Sequence, residues 1–375
     1  MFLNFMNRKK IEDILKPDLT IKDSIPVLRE KANKLFFGDN ISALKILLYE
    51  YNMHNKIDLI YIDPPFATNT VFKADNNKAN TISMPNKGSI AYEDTIIGDE
   101  FLEFMRERLI LAKELLSNKG SIYLHIDYKI GHYIKILMDE IFGSHNFRND
   151  IARIKCNPKN FKRKAYGNIK DMILFYSKTK DNIWNQPYLE YTNEDIRRLY
   201  KKQDKNHRHY TTVPLHAPGE TKNGLTSQPF KGILPPSGRH WRCSPEELEE
   251  LDKKGLIEWS GTNNPRKIIY ADERIGKKMQ DIWDFKDSQY PQYPTEKNLD
   301  MLRKIIKTSS NKDSIILDFF CGSGTTLVAA EELSRQWIGI DKSPKAIEIT
   351  QKRLQFLLNI YSREIQFIDI TKSID

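Results

Sequence analysis

Ile57-Asp58-Leu59-Ile60-Tyr61-Ile62-Asp63-Pro64-Pro65-Phe66, near the N-terminus, and Ile315-Ile316-Leu317-Asp318-Phe319-Phe320-Cys321-Gly322-Ser323-Gly324-Thr325-Thr326, near the C-terminus, decide the fold. Each opens on a short, β-branched apolar run. A run of this kind reads as a strand of a parallel sheet, buried on both faces. Similar runs recur at residues 34–37, 121–126 and 337–340, with two more at 150–155 and 171–176. Between them lie stretches with apolar residues at helical spacing: 101–116 (Phe101, Phe104, Met105, Leu109, Ala112, Leu115), 133–142 and 345–358. This alternation predicts an α/β fold with a doubly wound, Rossmann-like sheet.

The rhythm stops between 181 and 288, where Gly, Pro and Trp increase. Only 244–254 reads as a helix there, with Ser244 as N-cap, Pro245 in the first turn and Glu247 completing a capping box. The expected organisation is therefore 1–180 and 289–375 as two parts of one domain, with 181–288 an inserted, irregular one. The chain of 375 residues is 39% hydrophobic and 29% charged, which suits a packed core rather than disorder. Its formal charge of +9 favours a polyanionic partner, although an AT-rich genome also enriches Lys, Ile and Asn. Cys156, Cys243 and Cys321 are too scattered for a disulfide framework or a four-thiolate zinc site and point to a reducing compartment. His207, His209, His216 and Cys243 lack zinc spacing, so no metal is expected. No apolar run approaches the ~18–20 residues that span a bilayer, and the N-terminus is too charged for a signal peptide. A cytoplasmic protein without membrane association is the expectation.

Two motifs carry chemistry. In the first, Gly322 and Gly324 let the backbone approach a ligand at the carboxyl end of a strand. A second strand then ends in Asp341, at the spacing where a carboxylate holds the ribose of a nucleotide-like cofactor. No Gly-Lys-Ser/Thr phosphate loop occurs. In the second, Pro64 and Pro65 remove two backbone donors after Asp63. They leave a carboxylate, a free carbonyl and the Phe66 ring at a strand tip. Two acceptors suit an NH2 group, and the ring suits a planar base.

In this order the motifs resemble the permuted β class of S-adenosylmethionine-dependent DNA amino-methyltransferases, the N6-adenine/N4-cytosine family. The resemblance covers most of 34–180 and 289–358 and implies S-adenosylmethionine as cofactor. Asp318, Gly322 and Gly324 would line its methionine and ribose portion, with Phe320 and Thr325 in the same segment, and Asp341 would hold the ribose. Asp39, in Phe37-Gly38-Asp39-Asn40, matches the acid that contacts the cofactor's adenine; a helix N-cap is its equal alternative. Tyr293-Pro294-Thr295-Glu296-Lys297 resembles a further cofactor segment, which makes Thr295 and Lys297 candidates. The chain departs from the usual Gln-Lys-Pro there at Glu296 and Asn298.

The resemblance further implies site-specific methylation of adenine N6 in flipped-out duplex DNA. Asp63 and the Pro64 carbonyl would accept from the amine, and Phe66 would stack on the base. Cytosine N4 is the alternative target, and a catalytically inactive DNA-binding subunit the alternative of another class. Lys155, Arg242 and Phe320 precede the three cysteines, so the Pro-Cys pair of a cytosine-C5 enzyme is missing. Residues 151–180 carry nine basic side chains against Asp171 alone. Lys159, Lys162, Arg163 and Lys164 are expected on DNA phosphates. Arg239 and Arg242 are expected at DNA in the 181–288 insertion, the target-recognition region by resemblance, although Trp241 between them is equally readable as structural. Enzymes of this type are often dimers. A homodimer and a cognate restriction endonuclease are the expected protein partners.

Overall fold

Buried apolar runs become the strands of one large sheet in the computed structural model, which describes residues 3–17, 25–65, 70–75, 78–79, 89–94, 98–158, 162, 164–287, 296–361 and 364–371. In chain order its elements are β1 (Asn33–Phe37), α1 (Asn40–Lys45), β2 (Ile57–Ile62), α2 (Gly98–Leu115), β3 (Leu116–Ile126), α3 (Tyr128–Phe142), β4 (Phe147–Ile154) and β5 (Lys170–Ser177). After an insertion follow β6 (Ile282–Asp284), α4 (Leu299–Ser309), β7 (Ile315–Asp318), α5 (Thr325–Glu332), β8 (Gln336–Asp341), α6 (Pro344–Tyr361) and β9 (Ile365–Asp369). The strand order is β6-β4-β5-β3-β2-β7-β8-β1-β9, and β5 alone runs against the rest.

The centre of the sheet is its driest part. Leu59, Ile60, Ile62, Leu317, Ile338 and Ile340 are fully buried, each contributing about 1.5–3 kcal/mol. Helices α1, α3 and α4 begin where a side chain takes free amides. Asp127 caps α3 through Lys129 N at 2.9 Å, which starts that helix five residues before the expected 133. Gly143, at φ 90°, ends it. The edge strands β6 and β9 escape the sequence reading because they are short and only alternately buried.

Contacts divide the chain into two units, 1–187 with 280–375, and 188–279. Composition had placed these boundaries at 181 and 288. The second unit is not irregular, contrary to expectation. It holds an antiparallel sheet in the order Lys202–Gln203, His209–Pro214, Pro265–Tyr270, Ile257–Trp259, and a hairpin of His216–Pro218 with Arg239–Trp241. These strands span two to six residues and are mostly half-exposed, so they lack the continuous apolar run that marks a buried strand. The Ser244/Glu247 capping box is present on Pro245–Lys253. Leu215, Phe230, Trp241 and Leu248 form this unit's own small core.

Candidate active site

Four acids converge because four parallel strands end at the same sheet edge. β7 ends on Asp318 and β8 on Asp341; Asp63 follows β2, and Asp39 follows β1 by two residues. The registers Leu317↔Ile60, Asp318↔Gly339 and Phe37↔Asp341 hold those ends level. From β7 the chain winds to β8, and from β2 it winds the other way to β3. The gap between β2 and β7 is thus the topological switch point, where open α/β sheets bind ligands.

The Gly-containing turn after β7 is shaped by its own acids. Asp318 Oδ1 accepts from Phe320 N at 3.0 Å. Gly322 and Gly324 take φ values of 51° and 75°, in the left-handed region. Gly322 N donates to Asp341 Oδ2 at 2.8 Å, and the other Asp341 oxygen accepts from Ser343 N at 2.8 Å. A Cβ on Gly324 would lie 2.7 Å from Thr350, whose hydroxyl donates to Gly322 O at 2.9 Å. Thr325 is buried and accepts from Arg353 at 3.1 Å. Burial, with a contribution from Asp63 and Asp341, pushes the Asp318 carboxyl up to about 7. Burial also raises Asp341, against the opposing pull of the Ser343 and Gly322 amides.

Beside this turn, Asp39 caps α1 by accepting from Ile41 N at 2.9 Å and Ser42 N at 3.3 Å. Its second oxygen lies 3.5 Å from the buried Arg108, a residue missed in the sequence. Arg108 donates to Asn40 at 2.6 Å and lies over the Phe104 ring at 3.5 Å. Phe104 meets Phe320 at 6.0 Å between centroids. Burial lowers Arg108 to about 10 against the support of Asp39 and Glu107.

At the β2 tip, Pro64 is buried, and Asp63 Oδ2 pairs with Lys297 Nζ at 2.9 Å. Asp63 Oδ1 is buried with no hydrogen-bond partner among the described residues. Phe66, Thr295, Lys159 and Arg163 lie outside the described residues.

The sequence reading also missed a buried polar network on the β2, β3, β5 and β4 strands. Tyr61 Oη lies 2.9 Å from His125 Nδ1, and His125 Nε2 lies 3.1 Å from Asp171. Lys155 reaches the other Asp171 oxygen at 2.6 Å, and Arg153, fully buried, lies 3.4 Å from the first. Burial alone would raise Asp171, but His125, Lys297 and Lys155 hold it well below the usual carboxylate range. Burial and then Lys297 lower His125, which favours the neutral ring. In that form Nε2–H donates to the Asp171 carboxylate, which can only accept, and Nδ1 accepts from the Tyr61 hydroxyl. Arg153 and Lys155 therefore face a buried acid rather than phosphate, which corrects their place in the basic stretch. Lys162 and Lys164 are exposed.

In the second unit Arg239 and Arg242 are exposed, and Arg239 lies 3.2 Å from His216 Nδ1. Burial, then Arg239, Arg242 and Arg266, lower His216. Trp241 is fully buried and donates to Gln228 O at 3.0 Å, so it is structural.

The N6/N4 DNA methylase family matches residues 57–352. The chain is 42% identical over 329 residues to the type II methyltransferase M.EcaI of Enterobacter cloacae, covering 86% of this chain and 69% of that one. It is 27% identical to the StyLTI Mod subunit, a type III restriction-modification enzyme of Salmonella typhimurium, covering 88% of this chain but only 54% of that subunit. Among solved structures it is similar to the crystal structure of the M1.HpyAVI-SAM complex, at 20% identity and a TM-score of 0.44, over 86% of this chain and 98% of that one. On the family match and the identity to the type II enzyme, the chain belongs to the N6/N4 family of DNA methylases.

Proposed function

We propose that this chain transfers a methyl group from S-adenosylmethionine to the N6 amine of adenine in duplex DNA, at a site specified by residues 188–279. The observation that carries this reading is the buried Oδ1 of Asp63, without a hydrogen-bond partner among the described residues and next in sequence to Pro64, at the switch point that also holds the Gly322–Gly324 turn. The residues at this edge suit a cationic cofactor. Asp318 is raised by burial and by two neighbouring acids, a state that a bound positive charge relieves.

Asp318, Gly322, Gly324 and Thr325 are assigned to the cofactor, together with Phe320 and Asp39 at the adjoining aromatic and acidic wall. Asp341 acts first on the turn itself. Both its oxygens already accept backbone amides, and each keeps a second lone pair for a ribose hydroxyl. When bound, the cofactor supplies an electrophilic methyl on sulfur. An exocyclic amine is a poor nucleophile because its lone pair is delocalised into the ring. Asp63 Oδ1 and the Pro64 carbonyl, accepting one N–H each, favour the tetrahedral nitrogen and fix its direction of attack. As the nitrogen–carbon bond forms the methyl–sulfur bond would break, leaving a neutral thioether; the amine proton, made acidic by the new bond, would pass to solvent by way of Asp63, which need not be a strong base. Phe66 is assigned to stack on the flipped base, worth about 1–3 kcal/mol. Asp at the head of the tetrapeptide supports adenine over cytosine by family resemblance. The names of the relatives support a place as the modification component of a restriction-modification system.

Tritium transfer from labelled cofactor to DNA, followed by digestion to nucleosides, tests this directly. Label in N6-methyladenine is expected. Label in N4-methylcytosine would move the target, and label in neither would leave a DNA-binding subunit.

A further inference from the structure

We propose that Lys297 is a positioning residue for the Asp63 carboxylate rather than a ligand of the cofactor. The proposal rests on the assignment of Asp63 to the target amine. Lys297 Nζ sits 2.9 Å from Asp63 Oδ2, with only 8% and 15% of the two side chains exposed. The other oxygen of the same carboxylate is buried and has no hydrogen-bond partner among the described residues. A buried acceptor without a donor is costly, and such groups mark places that a ligand completes. A carboxylate held by one oxygen offers the other in a fixed direction. That is what an amine needs if its lone pair is to be aimed.

The residues around Lys297 are anchored independently. Glu296 pairs with Arg353 at 3.0 Å. Asn298 caps α4 through Met301 N at 3.0 Å and donates to Lys286 O at 2.8 Å. The chain is thus tied on both sides of the lysine by the two residues, Glu296 and Asn298, that depart from the family's usual pattern. The lysine's charge also acts on His125 and Asp171, so the Asp63 carboxylate is tied electrostatically to the buried network of β3 and β5.

The test is a double-mutant cycle in the full-length protein, comparing Lys297→Met and Asp63→Asn singly and together. S-adenosylmethionine affinity by calorimetry and the urea midpoint are measured on each variant. Lys297→Met is expected to lower kcat by up to about 100-fold, the cost of a misplaced group, while leaving the cofactor Kd within about threefold. In the Asp63→Asn background the same change should cost less than about threefold, because the carboxylate it positions has gone. Lys297→Arg should recover part of the loss. An equal loss in both backgrounds, an unchanged kcat, or a Kd weakened in step with kcat would overturn the proposal. If Lys297→Met does not fold, Lys297→Gln is read in the same cycle. If the unaltered protein transfers no methyl group to DNA, the functional reading fails. Absence of coupling between positions 63 and 297 in the urea midpoints would then overturn the positioning role by itself.

Discussion

Replacing Asp318 by Asn should stabilise the cofactor-free protein at neutral and alkaline pH, and the gain should vanish in acid. Asp318 is 2% exposed at the tip of β7 and is held at about 7, against an ordinary value of 3.8. A carboxyl raised on folding keeps its proton in the native state at a pH where the unfolded chain has lost it. Stability is then greatest below about pH 4 and declines as pH rises through about 7. At about 1.4 kcal/mol per pH unit, the interval from 3.8 to about 7 corresponds to about 4 kcal/mol. Asn is the neutral isostere of the protonated acid and loses nothing on that interval. Urea unfolding of both proteins from pH 4 to 8.5, at fixed ionic strength without cofactor, measures the difference. His125, lowered by burial and by Lys297, titrates the other way but is common to both and cancels. The difference should grow by about 1.4 kcal/mol per pH unit across the interval and then level off. A difference that is flat with pH would refute the buried, neutral Asp318. The same argument links the fold to its ligand. A cationic cofactor needs Asp318 ionised, so its affinity should rise from pH 6 to 8 in the unaltered protein. In Asp318→Asn it should be weaker and flat.

Gly324→Ala should cost about 1–3 kcal/mol in urea unfolding, because φ is 75° and the new Cβ would lie 2.7 Å from Thr350. An unchanged midpoint would mean that the turn relaxes freely. Replacing the exposed Lys162 and Lys164 together by Ala should weaken cognate and scrambled DNA alike, with the salt slope reduced by up to about 1.8, and should leave the methylated sequence unchanged. A changed sequence would assign base reading to that loop.

The sheet was legible because its central strands carry continuous apolar runs, and a run buried on both faces needs no partner to be recognised. The inserted unit was not, because its strands present half-exposed side chains and their pairing depends on residues far apart, such as Tyr210 with Tyr270. Within the site, the strand-tip acids stood out by position, but their partners did not. Asp63 meets Lys297, and Gly322 meets the carboxylate of Asp341, only once the sheet has formed. Asp171 read as a lone acid in a basic stretch. In the folded chain it is the common partner of His125, Lys155 and Arg153. His125 carries a signal in the sequence: it is an ionisable residue inside the buried run Ile122–Ile126 at the end of β3, two positions before a helix cap. The order of the two motifs needed no structure, since it depends only on which half of the sheet comes first in the chain.

Asp63→Ala, assayed side by side for methyl transfer to DNA and for S-adenosylmethionine binding, tests the central claim most directly. The carboxylate is assigned to the target amine, so turnover should fall by at least about 100-fold. Cofactor affinity should change little, because the hydrogen bond from Gly322 N to Asp341 that shapes the turn does not involve Asp63. Asp63→Asn should lie between the two, since its amide oxygen still accepts one N–H. Near-normal turnover in Asp63→Ala, or loss of cofactor binding in parallel with turnover, would contradict the account.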